Sequence, residues 1–105
     1  MNVTEKPTSF TELINGENPV LIDFYADWCQ PCKMMAPILK KVKGMLGDKI
    51  TIVKIDAEKN QAAAAKYKVR GVPFLVLIQK GNVLWQQAGV VQAEQLKNII
   101  LSKIL

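Results

Sequence analysis

The 105-residue sequence contains no histidine, only two cysteines and no long apolar run. A structural zinc site needs four ligands and a catalytic one three plus water, so we predict no metal site from a lone cysteine pair. Two cysteines are also too few for a disulfide-stapled secreted scaffold, which usually carries four or more. The longest apolar stretches, 19–22 and 72–78, are shorter than the roughly 18 residues of a membrane span, so we predict no membrane partner.

The first ten residues, MNVTEKPTSF, have neither the basic region nor the apolar region of a signal peptide. We therefore expect a soluble cytoplasmic protein; a periplasmic one stays open if a leader has been removed. The formal net charge is +5, but the lysines are scattered and their one cluster, KKVK at 40–43, has helical spacing. We interpret that cluster as a solvated helix face and predict no nucleic-acid partner.

No repeat, low-complexity tract or linker divides the chain, so we predict one domain over residues 1–105, acting as a monomer. The hydrophobic patterns and turn signals predict the following elements: a strand at about 2–5, a helix capped by Thr8 or Ser9 and ending at Gly16, a strand in PVLIDFYA, a helix from Pro31 to about Leu46 with a kink at Pro37, a strand in KITIVKID, a helix in EKNQAAAAKYK, two strands joined by Lys80-Gly81-Asn82, and a C-terminal amphipathic helix. This order, βαβαβαββα, predicts an α/β fold with a central mixed sheet and helices on both faces.

The two cysteines, Cys29 and Cys32, lie where a buried strand gives way to a helix, with Gln30 and Pro31 between them. A disulfide that closes so short a loop constrains the unfolded chain very little, so stability does not explain the spacing. Redox chemistry explains the spacing of the two cysteines. The helix N-terminus lowers the pKa of Cys29 and Pro31 pre-organises the first turn. Cys32, one turn later, is then within reach to resolve a mixed disulfide.

Asp23 interrupts an otherwise apolar strand six residues before Cys29. Burial of an unpaired carboxylate is costly and raises its pKa. If Asp23 lies beneath the disulfide, it can accept the proton of Cys32. The alternative is an exposed, salt-bridged acid on an edge strand.

The chain resembles the thioredoxin family over essentially its whole length. The segments that carry the resemblance occur in the family's order: VLIDFYADWCQPCK, MMAP, VKIDAEKN, YKVRGVPFLVLIQKG and the AG before the last helix. This combination is far more specific than a lone C-x-x-C pair. The resemblance implies the thioredoxin fold, which agrees with the element order predicted above.

The resemblance also implies a role for each matching residue. Cys29 matches the exposed nucleophile and Cys32 the buried resolving thiol, while Trp28 matches the aromatic residue that packs beside the disulfide. Asp23 matches the buried acid. Lys54 matches the lysine whose ammonium group approaches that acid and offsets part of its raised pKa; the alternative is a strand lysine that faces water.

Pro73 matches the family's cis-proline, which faces the disulfide. A cis bond there would leave the backbone of Val72 free to pair with an extended substrate segment. Gly71 and Gly89 then look like points of close approach to the active site or the substrate, although Gly89 fits a plain turn equally well.

The sequence departs from the family pattern at four positions. Gln30, next to Pro31, stands where glycine is usual and places a side chain over the mouth of the site. Phe74 replaces the common threonine after the cis-proline and makes the substrate-binding region more apolar. Tyr25 replaces a common tryptophan. Trp85 stands where a small or polar residue is frequent, and we favour cross-strand packing over a partner surface as its role.

The functional prediction is a thiol–disulfide oxidoreductase that reduces protein disulfides, is recharged by a thioredoxin reductase and needs no cofactor beyond its own disulfide. Reduction potentials range from about −270 mV for thioredoxin to about −120 mV for its oxidising periplasmic relative. The oxidising members commonly hold a histidine between the cysteines, which this chain lacks, so we expect a reductant. The alternatives are an oxidase or isomerase, and a binding module that uses the surface around Trp28, Val72, Phe74 and Gly89.

Overall fold

The computed structural model describes residues 9–104 of the chain. The elements in chain order are α1 (Phe10–Asn15), β1 (Val20–Tyr25), α2 (Gln30–Leu46), a 3-10 turn (Gly47–Lys49), β2 (Thr51–Asp56), α3 (Gln61–Lys66), β3 (Phe74–Gln79), β4 (Asn82–Ala88) and α4 (Ala93–Lys103). This order confirms the prediction from the first helix onward, and the predicted strand at about 2–5 lies outside the described residues. None of the helices described there has the length and hydropathy that a membrane crossing requires.

The described strands form one mixed sheet in the order β2-β1-β3-β4. Strand β1 runs parallel to β2 and antiparallel to β3, and β3 forms an antiparallel hairpin with β4. One core cluster lies between the sheet and helices α2 and α4, and a second lies between the opposite face and helices α1 and α3. Because both faces of β1 are covered, its side chains can be apolar without alternation. The predicted α/β fold with helices on both faces is confirmed.

The helix starts follow from their capping residues. Ser9 caps α1 in a capping box: the Glu12 N–H donates to Ser9 Oγ at 3.1 Å, and the Ser9 N–H donates to Glu12 Oε1 at 3.3 Å. The alternative cap, Thr8, lies outside the described residues. Helix α2 begins at Gln30, one residue earlier than predicted, because Cys29 acts as its N-cap; the helix continues through Pro37.

The turn between β3 and β4 is the predicted hairpin, and helix α1 packs against it. Lys80 and Gly81 both have positive φ angles, 55° and 80°, as a two-residue hairpin turn requires. The Lys80 N–H donates to the Gly16 carbonyl at 3.0 Å, and the Gly81 N–H donates to the Ile14 carbonyl at 2.8 Å. The turn therefore joins the sheet to the end of α1.

We expect Gly81→Ala to lower the free energy of unfolding by about 1–3 kcal/mol, because a Cβ disfavours positive φ. The new Cβ would also stand 2.5 Å from Asn15 Oδ1, and the Asn15 amide already donates to the Thr11 carbonyl. Gly44→Ala is the control: this exposed glycine lies inside α2 with open space around it, so alanine should raise stability by about 0.5–1 kcal/mol. Urea unfolding measures both, and equal stability of the two variants would contradict the strain argument.

Candidate active site

The two cysteines form a disulfide at the start of α2, with their Cα atoms 5.3 Å apart. Strand β1 ends at Tyr25, and the Cys29 N–H donates to the Ala26 carbonyl at 3.1 Å, which closes the turn into the helix. As the N-cap residue, Cys29 accepts the Cys32 N–H on its sulfur at 3.1 Å. The first sulfur therefore lies at the positive end of a 17-residue helix, where negative charge is stabilised.

Both cysteines are buried in this disulfide form. Cys29 is 2% exposed and Cys32 is 5% exposed, so the predicted exposure of Cys29 is wrong here. The reason is that the sulfur of Cys29 is bonded to Cys32 and the pair packs with Ala26 against Val72. Cys32 and Lys54 both line a cavity of about 260 Å³.

Asp23 is fully buried on β1, which runs between β2 and β3, so the alternative of an exposed edge-strand acid is wrong. By strand alternation its side chain shares the sheet face of Leu21, which packs in the core cluster beneath α2. Within the described residues neither carboxylate oxygen has a hydrogen-bond partner. Desolvation raises the pKa of Asp23 to about 6, and the positive charge of Lys54 partly opposes that rise.

Lys54 lies directly opposite Asp23 in the parallel pair of β1 and β2. Its side chain is nevertheless exposed, and its ammonium group stands 5.0 Å from the centre of the Tyr25 ring. A cation over an aromatic face is attracted to the ring. Lys54 therefore faces solvent and still lowers the pKa of the buried acid through its charge, so the two predicted roles coexist.

The loop before β3 meets the loop after β4 beside the disulfide. The Val72–Pro73 peptide bond is cis, as the resemblance implied, and Val72 packs against the two cysteines. The Gly89 N–H donates to the Pro73 carbonyl at 2.8 Å, and Gly89 has a φ of 92° that favours glycine. A Cβ at Gly71 or Gly89 would meet no atom within 4 Å, so within the described chain neither glycine is required by close packing.

Trp28 precedes the disulfide and is 67% exposed. Its indole N–H donates to Glu58 Oε2 at 2.8 Å across 30 residues of sequence. Both residues line a cavity of about 250 Å³ together with Gly71 and Val72. The side chain next to the disulfide is thus held by a hydrogen bond more than by burial.

The other predicted residues lie at the margins of the site or in the core. Gln30 and Pro31 are exposed in the first turn of α2. Phe74 is half-buried and packs against the core cluster on the face of α1 and α3. Trp85 is half-buried opposite Leu77 and packs against the other cluster, which supports the cross-strand packing role.

Sequence reasoning missed Glu58 and the residue that holds it, Asp56. Asp56 ends β2, is buried, and its Oδ1 accepts the N–H groups of Glu58 and Lys59 at 2.9 and 3.1 Å. An aspartate that follows a strand and precedes a polar loop is a signal for this turn. No local pattern, by contrast, predicts the contact between Glu58 and Trp28.

Comparison with known proteins agrees with this geometry. The family model described as Thioredoxin matches residues 1–102. A thioredoxin-like protein of Synechocystis is 45% identical over 97 residues, which cover 91% of this chain and 92% of that protein. A thioredoxin of Haemophilus influenzae is 42% identical over 88 residues, covering 84% of this chain and 82% of that one. A solved mutant thioredoxin from Halobacterium salinarum superposes with a TM-score of 0.80 at 38% identity, covering 92% of this chain and 87% of that chain.

Sequence, fold and the cysteine pair therefore point to the same assignment. The family match extends over nearly the whole chain, and the relatives are matched over most of their own length. The C-x-x-C pair is present and joined as a disulfide at a helix N-terminus. The chain belongs to the thioredoxin family and is a thiol–disulfide oxidoreductase.

Proposed function

We propose that the protein reduces disulfides of other proteins, with Cys29 as the attacking thiolate and Cys32 as the resolving thiol. The observation that carries the assignment of roles is the hydrogen bond from the Cys32 N–H to the Cys29 sulfur at the N-terminus of α2. Such a donor and the helix dipole favour the thiolate on Cys29, and the thiolate is the nucleophile in disulfide exchange. Cys32 lies inside the first turn, at the right distance to attack Cys29.

The exchange runs in two steps, each of which forms one disulfide bond and breaks another. The Cys29 thiolate attacks one sulfur of the substrate disulfide, a mixed disulfide forms, and the other substrate sulfur leaves as a thiolate. The Cys32 thiolate then attacks the sulfur of Cys29, which forms the internal disulfide and releases the second substrate sulfur. Two electrons have passed to the substrate, and the protein is left in the disulfide form described above.

The second step needs a base for the Cys32 proton, and we assign that role to Asp23. Its pKa of about 6 is close to neutral, where a carboxylate both accepts and releases a proton readily. Asp23 is fully buried and its two carboxylate oxygens have no hydrogen-bond partner among the described residues, so either oxygen is free to accept that proton. Lys54 assists by keeping the pKa from rising further.

The substrate segment is proposed to lie in extended form across Val72 and Pro73, between Trp28 and the Gly89 loop. Support comes from the packing of Val72 against the cysteine pair and from the hydrogen bond between Gly89 and Pro73. Gln30 stands exposed at the start of α2 and faces the arriving partner. A thioredoxin reductase is the proposed electron donor, and the proposed state is a monomer.

We expect a reduction potential near the thioredoxin value of about −270 mV, because no histidine lies between the cysteines to stabilise the dithiol form. Equilibration with glutathione, followed by quantification of the two redox forms, measures it. A potential above about −200 mV would favour the oxidase or isomerase alternative. Gln30→Gly is the matched variant. Because the side chain is exposed, we expect a shift below about 30 mV, equal to tenfold in the equilibrium constant.

A further inference from the structure

The turn between β2 and α3 is organised by one buried acid, Asp56. Its side-chain oxygen Oδ1 accepts two backbone N–H groups, from Glu58 at 2.9 Å and from Lys59 at 3.1 Å. Its backbone carbonyl accepts both the N–H and the side-chain amide of Asn60, each at 3.0 Å. Four hydrogen bonds to a single residue therefore determine the path of the backbone at Glu58.

The side chain of Glu58 extends from this turn to the active site. Glu58 is itself exposed, and its carboxylate accepts the indole N–H of Trp28 at 2.8 Å. Because two-thirds of Trp28 is exposed, packing alone does not restrict its rotamers. The bond to a charged acceptor is stronger than one between neutral groups, and it selects one orientation of the ring.

That orientation determines the shape of the cavity beside the disulfide. Trp28 and Glu58 line it on one side, and Val72, which packs against the cysteine pair, lines it as well. A substrate segment that approaches the sulfurs from this side must contact the indole. If the indole turned away, that contact would be lost while the disulfide and helix α2 stayed unchanged.

We propose that Asp56 is a positioning residue for protein substrates: through Glu58 it holds the Trp28 indole in the orientation that such substrates bind. The inference rests on the proposed reduction of protein disulfides. It predicts an effect on substrate binding and not on the exchange itself, because the side-chain hydrogen bonds of Asp56 within the described residues go to the backbone N–H groups of Glu58 and Lys59. A neutral oxygen in the same place keeps both hydrogen bonds, although each is weaker, because only Oδ1 accepts the two N–H groups.

The test uses the full chain with Trp85→Phe, so that Trp28 is the only tryptophan. In that background Asp56→Ala removes the acceptor and Asp56→Asn retains an oxygen in its place. Asp48→Ala is the control for loss of an exposed acid elsewhere. The measurements are the fluorescence anisotropy of Trp28, its quenching by acrylamide, and KM and kcat for insulin reduction at saturating electron donor.

We expect Asp56→Ala to lower the anisotropy, increase quenching and raise KM about fivefold, the effect of one lost hydrogen bond, with kcat changed less than twofold. Asp56→Asn should keep values of anisotropy, quenching and KM close to those of the parent, and Asp48→Ala should match the parent in all three. Unchanged anisotropy and KM in a folded Asp56→Ala protein would overturn the proposal. An Asp56→Asn protein whose anisotropy and KM changed as much as those of Asp56→Ala would overturn it too. If Asp56→Ala does not fold, Glu58→Ala must produce the same two changes, and their absence overturns it equally.

These readouts separate this inference from the proposed function. If the parent protein does not reduce insulin, the proposed function fails, while the anisotropy of Trp28 still reports whether Asp56 holds the indole. If the parent reduces insulin but the variants show no change, only the positioning role fails.

Discussion

Replacing Cys29 by serine should reduce the rate of insulin reduction by more than about a thousandfold, because the variant has no nucleophile for the first step. Cys32 cannot take over this role easily, because it lies inside the first turn of α2 and lacks the N-cap position, where the helix dipole and a backbone N–H favour a thiolate on Cys29. Turbidity of the released insulin chains gives the rate. A Cys29→Ser protein that reduced insulin at the normal rate would refute the assignment of the nucleophile.

Cys32→Ser should fail at the second step and therefore behave differently. Cys29 still attacks, but no thiol resolves the product, so the mixed disulfide with the substrate accumulates. Non-reducing electrophoresis should show one stable adduct per chain that dithiothreitol cleaves. The same adduct should be absent from Cys29→Ser. Adducts of equal yield in both variants would mean that the order of the two cysteines is wrong.

The two substitutions together separate catalysis from binding. A protein with both cysteines replaced has no exchange chemistry but retains the exposed Trp28 and the cavity beside it. If the biological role is disulfide reduction, the double variant should be inactive in every assay. A role that persisted would favour the alternative of a binding module that uses the surface around Trp28 and Val72.

Asp23→Asn should raise the free energy of unfolding by about 3 kcal/mol at pH 8 and by little at pH 4, since a tenfold change in proton affinity corresponds to about 1.4 kcal/mol. The pKa of Asp23 rises from 3.8 to about 6 on folding, so the folded protein holds a proton that the unfolded chain releases between these values. The free energy of unfolding of the parent protein is therefore undiminished below pH 4 and falls as the pH rises through 6. Asparagine cannot ionise, so Asp23→Asn does not show this fall.

Urea unfolding at several pH values measures this difference, with Asp48→Asn as the control for an exposed acid. The control should show no such dependence on pH. A stability gain for Asp23→Asn that is the same at pH 4 and pH 8 would show that ionisation of Asp23 is not its cause.

The same substitution should slow turnover by about a hundredfold at pH 7, the usual contribution of a positioned general base. Because the loss falls on the second step, the mixed disulfide with the substrate should accumulate, as in Cys32→Ser but more weakly. The defect should shrink as the pH rises, when hydroxide removes the Cys32 proton without help. An undiminished rate at pH 7 would exclude Asp23 as the base.

Local sequence patterns were sufficient for most of the architecture. The apolar run of β1, the spacing of the buried residues in α2 and the hairpin at Lys80-Gly81 each depend on neighbours in sequence, and each prediction lies near the observed bounds. The cap of α1 at Ser9 is predictable for the same reason. The cis bond at Pro73 is different, since no local rule distinguishes it from an ordinary turn proline and only the family resemblance implied it.

Local sequence alone accounts for two thiols one helical turn apart, behind a buried strand that contains one acid. The surroundings of these groups follow from the tertiary structure. It placed Asp23 on an interior strand with no hydrogen-bond partner among the described residues, turned Lys54 toward Tyr25, and buried Cys29. Burial and long-range contacts depend on which elements pack together, so a carboxylate's pKa or an indole's partner 30 residues away has no signature in the local sequence.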